Sequence, residues 1–209
     1  MFGGLTTSQL LIYAVSLIIG LTMHEAMHAF AARWLGDTSA EDSGRLTLNP
    51  LRHIDPYTTI LMPIISLLVL HVPFLAARPV PFNPHRLRYR EYGVALVGLA
   101  GPLTNLVLAA IAGILIRLIM PDINGLIFEC LYIFAIANTA IFVFNMIPFP
   151  PLDGSRALYA VAPDALRTLM ERIEAMGVVS IIIVMMLFFF TPVGTFCEQV
   201  ISYILQVIV

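Results

Sequence analysis

The chain has 209 residues, 59% of them apolar and 11% charged, with a mean hydropathy of +0.92 and a formal net charge of −2. Soluble domains carry roughly a quarter charged residues, so the composition excludes an ordinary soluble enzyme and marks an integral membrane protein. All 11 basic residues are arginine, and their spacing gives nucleic-acid binding no support.

The first apolar segment runs over residues 8–34, and no basic residue precedes Arg33. As a helix it would be roughly 40 Å long, enough to cross a bilayer. It lacks a basic start and a small-residue cleavage site, so it reads as a retained segment rather than a signal peptide. Residues 36–56, "GDTSAEDSGRLTLNPLRHIDP", are polar and rich in turn formers; a loop with one short hairpin is expected there. Residues 57–77 are apolar again but interrupted by Pro63 and Pro73. "RPVPFNPHRLRYREY" follows, and its prolines at 79, 81 and 84 favour extended backbone. The segment 92–119 opens on "GVALVGLAGPLTNL", whose small residues let helices approach closely in lipid. After the turn "MPDING", the segment 126–147 ends at "IPFPPLDG". A polar stretch, 153–175, leads to the apolar run 177–190, which Pro192 and Gly194 break. The C-terminal "FCEQVISYILQVIV" is expected as a partly amphipathic helix lying on or in the membrane. Cys130 and Cys197 lie far apart in apolar stretches and read as buried free thiols, not a metal motif.

Within the first segment stands "LTMHEAMHAF". An ionisable residue at membrane depth costs about 2.5–3.5 kcal/mol on insertion scales, which makes function the default reading. His24 and His28 are four residues apart, so on a helix they share one face. That geometry suits two imidazoles on one zinc ion, at about 2.0–2.1 Å each. Glu25 projects beside that face, where it can take a proton from the attacking water and pass it to a leaving amine. H-E-x-x-H alone is only moderately specific. Here one zinc ion would satisfy three ionisable groups that otherwise each need a partner.

A catalytic zinc site needs a third protein ligand and an open position. Ala31 and Trp34 stand where the metzincin continuation has glycine and histidine, which excludes that class. Asp37, Glu41, Asp42, His53 and Asp55 lie in polar loop sequence and read more simply as solvated residues. His71 and His85 flank proline-rich turns and read as structural or surface groups. Asp153 follows an apolar span directly after "PFPPL". Irregular backbone at membrane depth survives only where it lines a cavity or is buried in protein, so an acid there is a candidate ligand. The competing reading is that Asp153 caps the helix "GSRALYAV".

"HEAMHAFAARWLGD", "GRLTLNPLRHIDP", "ARPVPFNP", "GLAGPLTNL" and "NMIPFPPLDGSRAL", in this order, resemble the site-2 protease family of intramembrane zinc metalloproteases. The likeness covers about residues 8–175 and is nearest to small prokaryotic members without PDZ or CBS domains. The resemblance implies an all-α membrane protein: a polytopic helical bundle with a three-helix catalytic core and extended proline-rich loops. It implies one Zn²⁺ held by His24, His28 and Asp153, with Glu25 as the general base. Asn145 matches the family's asparagine ahead of the LDG turn, which implies contact with the scissile carbonyl or substrate backbone. Such a donor suits a developing oxyanion; equally, Asn145 could bond carbonyls freed by the prolines. Asn105 and Asn138 read as interhelical hydrogen-bonding residues.

The expected domain is a single membrane metalloprotease unit over 1–209, with a core at about 8–175 and C-terminal helices at 176–209. The expected substrate is the transmembrane helix of another membrane protein, in a prokaryotic plasma membrane. Such a helix must unwind locally, and "ARPVPFNP" and "PFPPL" could offer backbone for it to pair with. The rival readings are a catalytically silent metal-binding scaffold of the same fold, against which Glu25 argues, and a metal transporter. A transporter would spread polar residues along a pathway and often shows internal repeats, and this sequence shows neither.

Topology can be argued from the arginines. If 8–34, 57–77, 92–119 and 126–147 all crossed, the histidines and Asp153 would face opposite sides. If instead 57–77 is re-entrant, entering and leaving on one side, the ligands meet. Ten arginines then share a side, with Arg117 alone opposite. The positive-inside rule makes the ten-arginine side cytoplasmic and the N-terminus external. Segment 177–190 would then cross outward and leave the C-terminal helix at the outer face.

Overall fold

In the computed structural model the described residues are 6–53, 80–119 and 125–209. The re-entrant reading of 57–77, Asp55, His71 and most of the "MPDING" turn therefore lie outside them. The helices, in chain order, are α1 (Thr7–Trp34), α2 (Ser39–Asp42), α3 (Glu91–Ile119), α4 (Leu126–Asn145), α5 (Gly154–Val161), α6 (Asp164–Ala175), α7 (Val178–Phe190) and α8 (Pro192–Ile208). The described residues form an all-helical structure, and among them three helices, α1, α3 and α4, are long and apolar enough to cross a membrane.

α1 begins in a capping box. Thr6 Oγ1 accepts from the Gln9 N–H, and Gln9 Oε1 accepts from the Thr6 N–H at 2.9 Å. Its buried face is a ridge at four-residue spacing: Ser16, Gly20, His24, His28 and Ala32. Leu11, Ile18 and Trp34 point outward. Apolar groups this exposed would be a liability in water, and lipid is their natural solvent. α3 buries Val94, Val97, Pro102, Asn105, Ala109, Ala112 and Ile116, again at helical spacing.

α1 and α4 run in the same direction and α3 runs against both. At one end Gln9 of α1 donates to Glu129 of α4 at 2.7 Å. At the other, Leu35 O, just past α1, accepts from Arg88 N–H, just before α3, at 2.9 Å. Ala29, Leu46 and Val80 share one apolar cluster with Ala40, so Leu46 and Val80 lie at the same end of α1. Arg117 lies at the far end, where its guanidinium bonds Val207 O and Val209 O of the C-terminal helix.

One expectation is corrected. No hairpin forms in 36–53. Asp37 Oδ1 accepts from the Ser39 N–H and hydroxyl, which starts α2, and Asn49 caps a 3-10 turn over Pro50–Arg52. A local side-chain acceptor thus competes successfully with strand pairing. α8 packs along α4, α7 and α3, and a Cβ on Gly113 of α3 would stand 2.2 Å from Ile208 O. α7 has 13 residues, about 20 Å of rise, which alone falls short of the roughly 30 Å hydrocarbon core. The chain bends by 103° between α6 and α7, where Gly177 takes a φ of 59°.

Candidate metal centre

His24 and His28 are buried at 3% and 8% exposure on the inner ridge of α1. Asp153 sits between α4 and α5, on the break made by Pro148, Pro150 and Pro151. It precedes α5 but makes no side-chain cap; its carboxylate turns to the histidines instead. His24 Nε2 lies 2.9 Å from Asp153 Oδ2, His28 Nε2 lies 3.3 Å from the same oxygen, and the two Nε2 atoms are 3.0 Å apart.

The outer nitrogens of both rings face acceptors. His28 Nδ1 lies 2.7 Å from Val97 O, and His24 Nδ1 lies 2.7 Å from Asn105 Oδ1. Each Nδ1 therefore serves as the outward donor, which leaves each Nε2 turned inward as a potential metal ligand. Two imidazole Nε2 atoms and a carboxylate oxygen then converge, a donor set that one divalent cation can bridge. The triangle's size fits zinc. Tetrahedral bonds of 2.0–2.1 Å put ligand atoms about 3.3 Å apart, against the 2.9–3.3 Å found. Among the described residues this is the one such group of histidine, cysteine and acidic side chains.

Gly101 of α3 makes the site possible. A Cβ there would stand 2.4 Å from His28 Nε2 and 2.8 Å from His24 Cε1. The neighbouring Gly98 does the same for Arg156, whose Cβ would be 2.6 Å away. The small residues of α3 thus clear space for the site's side chains, beyond the helix contact expected of them.

The centre opens into a cavity of about 470 Å³ bounded by α1, α4, α7 and α8. Glu25, 8% exposed, lines it and accepts from the Val80 N–H at 3.1 Å. Asn145 also lines it, while its Nδ2 donates to Ile141 O, one turn back on α4, at 3.0 Å. It does not bond the carbonyls freed by the prolines. Arg156 closes one side, paired in a fork with Glu174 of α6 and standing 5.7 Å over the Phe82 ring.

The remaining loop candidates have other work. Asp37 Oδ2 accepts from the Asn83 N–H, Glu41 pairs with Arg33, Asp42 accepts from the Thr38 hydroxyl, and His53 Nε2 meets Thr47 O. His85 is exposed. Cys197 is a buried free thiol as expected; Cys130, also free, is only half-buried. The sequence reading missed Gly101, Val97 O and the contact from Asn105 to His24. The motif "GPLTN" holds the signal, since Gly101 and Asn105 lie four residues apart on one helix face.

Residues 121–189 match the model of peptidase family M50. The chain is 35% identical over 189 residues to YwhC of Bacillus subtilis, covering 87% of this chain and 81% of that protein. It is 31% identical over 154 residues to MJ0611 of Methanocaldococcus jannaschii, covering 72% of each. It is 31% identical over 141 residues to Rip2 of Mycolicibacterium smegmatis, covering 68% of this chain and 53% of that protein. Each of the three bears the name "Putative zinc metalloprotease". No solved structure matches the chain. By these relationships the chain belongs to peptidase family M50, the site-2 protease family of zinc metalloproteases.

Proposed function

We propose that the chain is an intramembrane zinc endopeptidase that cuts peptide bonds within the transmembrane helices of other membrane proteins. His24, His28 and Asp153 hold one Zn²⁺, and Glu25 is the general base. The observation that carries this reading is the triangle of three inward acceptors, opening with Glu25 into one cavity. When bound, zinc supplies Lewis acidity, which polarises the scissile carbonyl and activates water at neutral pH.

The chain's own groups do the rest. The Val80 N–H holds Glu25 Oε2 and leaves Oε1 to take the proton of the attacking water and deliver it to the leaving amine. The cavity walls are mostly apolar, with Leu17, Leu21, Ile141, Phe144 and Val184 among them, which suits a lipid-soluble segment better than a charged peptide. Asn145 stands at the wall with one amide hydrogen committed to its own helix, and its carboxamide can orient an unwound substrate strand. The arginines at the Arg88 end of the bundle support a site toward the cytoplasmic face of a prokaryotic plasma membrane.

The test is zinc content per chain, followed by cleavage of a helical membrane substrate in proteoliposomes. Wild type should carry one zinc and cleave. Glu25→Ala should carry one zinc and lose nearly all turnover. Cleavage by Glu25→Ala at the wild-type rate would overturn the base assignment. A zinc-loaded wild type that cleaves no helical substrate would favour the silent scaffold.

A further inference from the structure

His28 rests on a main-chain carbonyl, which cannot flip. His24 rests on a carboxamide, which can. What holds that carboxamide is legible in its surroundings. Asn105 and Asn138 are both fully buried, at 0% exposure. Asn138 Nδ2 donates to Phe134 O at 2.9 Å. A main-chain carbonyl only accepts, so the Asn138 amide has one orientation and its Oδ1 is turned to Asn105. Asn105 Nδ2 donates to that oxygen at 2.9 Å and to Gly20 O at 3.0 Å. Both its amide hydrogens are then spent, and Asn105 Oδ1 faces His24 Nδ1.

We propose that Asn105 and Asn138 form a two-step amide relay that sets the zinc affinity of His24. The proposal rests on the zinc reading above. Two main-chain carbonyls, on α1 and α4, fix the polarity of two side chains, and these fix the tautomer of one imidazole. Were the Asn105 amide reversed, its N–H would meet His24 Nδ1 and demand the other tautomer. The proton would then sit on Nε2, where the metal must bind. Asn138 touches no metal ligand; it is a positioning residue acting through Asn105.

The relay also explains Gly20. A Cβ there would stand 2.9 Å from Asn138 Oδ1 and 3.0 Å from Ile141 Cδ1. Glycine brings α1 near enough to α4 for Gly20 O to complete the network. Metal affinity and the seating of α1 against α3 and α4 are thereby coupled. Outer partners of a ligating histidine typically carry about 10–100-fold in metal affinity, and the relay assigns part of that effect to a residue one step further out.

The full-length chain in detergent is titrated with zinc against a competing chelator, and its cobalt form is examined by visible absorption. Asn138→Leu removes the acceptor that orients Asn105, and zinc should bind about tenfold more weakly, with an altered cobalt spectrum. Asn138→Ala carries the same expectation should the leucine variant not insert. Asn138→Asp keeps an acceptor toward Asn105 and, as a neutral acid, a donor toward Phe134 O; it should recover wild-type affinity. Thr139→Val is the packing control. Thr139 is equally buried on the same helix, and its hydroxyl meets no partner among the described residues, so affinity should hold. Wild-type affinity and spectrum in Asn138→Leu, or equal weakening in Thr139→Val or Asn138→Asp, would overturn the relay alone. Absence of zinc from wild type, or wild-type affinity in His24→Ala, would overturn the metal site and the relay with it.

Discussion

The backbone N–H of Val80 and the carboxylate of Glu25 meet at 3.1 Å across 55 positions of sequence. The bond ties the proposed base to a proline-rich segment, and it satisfies one oxygen of a buried acid. Proline at position 80 deletes the hydrogen within a sequence that already carries Pro79 and Pro81. Hydrogen bonds to charged groups contribute about 1.5–3 kcal/mol, so Val80→Pro should lower turnover by about tenfold or more. Zinc content should stay unchanged. Steady-state cleavage beside metal analysis checks this, and full turnover in the variant would remove Val80 from the mechanism.

Gly101 is predicted to tolerate no side chain. Alanine in a helix interior is ordinarily better than glycine by roughly 0.5–1 kcal/mol. Here the added carbon would press on the two imidazoles from 2.4 and 2.8 Å, against atoms that must converge. Gly101→Ala should therefore lose zinc affinity by at least an order of magnitude, while the helical content measured by circular dichroism stays wild-type. Unchanged zinc binding would mean that α3 shifts freely, against the packing seen between α1 and α3.

Asp37 gives a pH dependence of stability. Burial by itself pushes its carboxyl up; the Ser39 hydroxyl, the N–H groups of Asn83 and Ser39, and the charge of Arg86 outweigh it, and the net pKa is lowered. A depressed native pKa contributes stability that is present above the ordinary carboxylate value and lost as pH falls through the native one. Asp37→Asn keeps one acceptor of two, so it should melt below wild type near neutrality. That gap should shrink on acidification below the carboxylate range. Melting curves from pH 7 to pH 3 test it, and a gap independent of pH would show that Asp37 acts through packing alone.

The parts of this molecule that were legible in sequence are those where chemistry leaves few choices. An apolar run of more than twenty residues has one solution in lipid, so α1, α3 and α4 could be read within a few residues. Two histidines at helical spacing with an intervening glutamate restrict the metal, and an acid on a proline break narrows the search for a third donor. What could not be read depends on which faces meet. Asn105 was expected to bridge helices, and it does; that its oxygen would face His24 follows only once α1 and α3 are seen in contact. Asn145 presented two options; its bond to Ile141 O stands in place of one to the proline-freed carbonyls, and contact with substrate belongs to the proposed function.

The topology follows from the direction of the helices and can be tested without any activity. Leu35 O and Arg88 N–H are bonded, so the chain ends α1 and begins α3 at the same end of the bundle. Positions 35 and 88 therefore belong on one side of the membrane. α4 runs parallel to α1, since Gln9 meets Glu129 near their starts and His24 meets Asp153 beyond the end of α4. Arg33, Arg86, Arg88 and Arg156 accordingly gather at the Asp153 end, with Arg117 at the other. Single cysteines at Ser43 and Arg88, both exposed, should be labelled by an impermeant thiol reagent from the same side, the cytoplasmic one by the positive-inside rule. The background must lack Cys130 and Cys197. Labelling of both from outside would reverse the orientation and leave the fold standing. Labelling from opposite sides would break the Leu35–Arg88 pairing and, with it, the convergence of His24, His28 and Asp153.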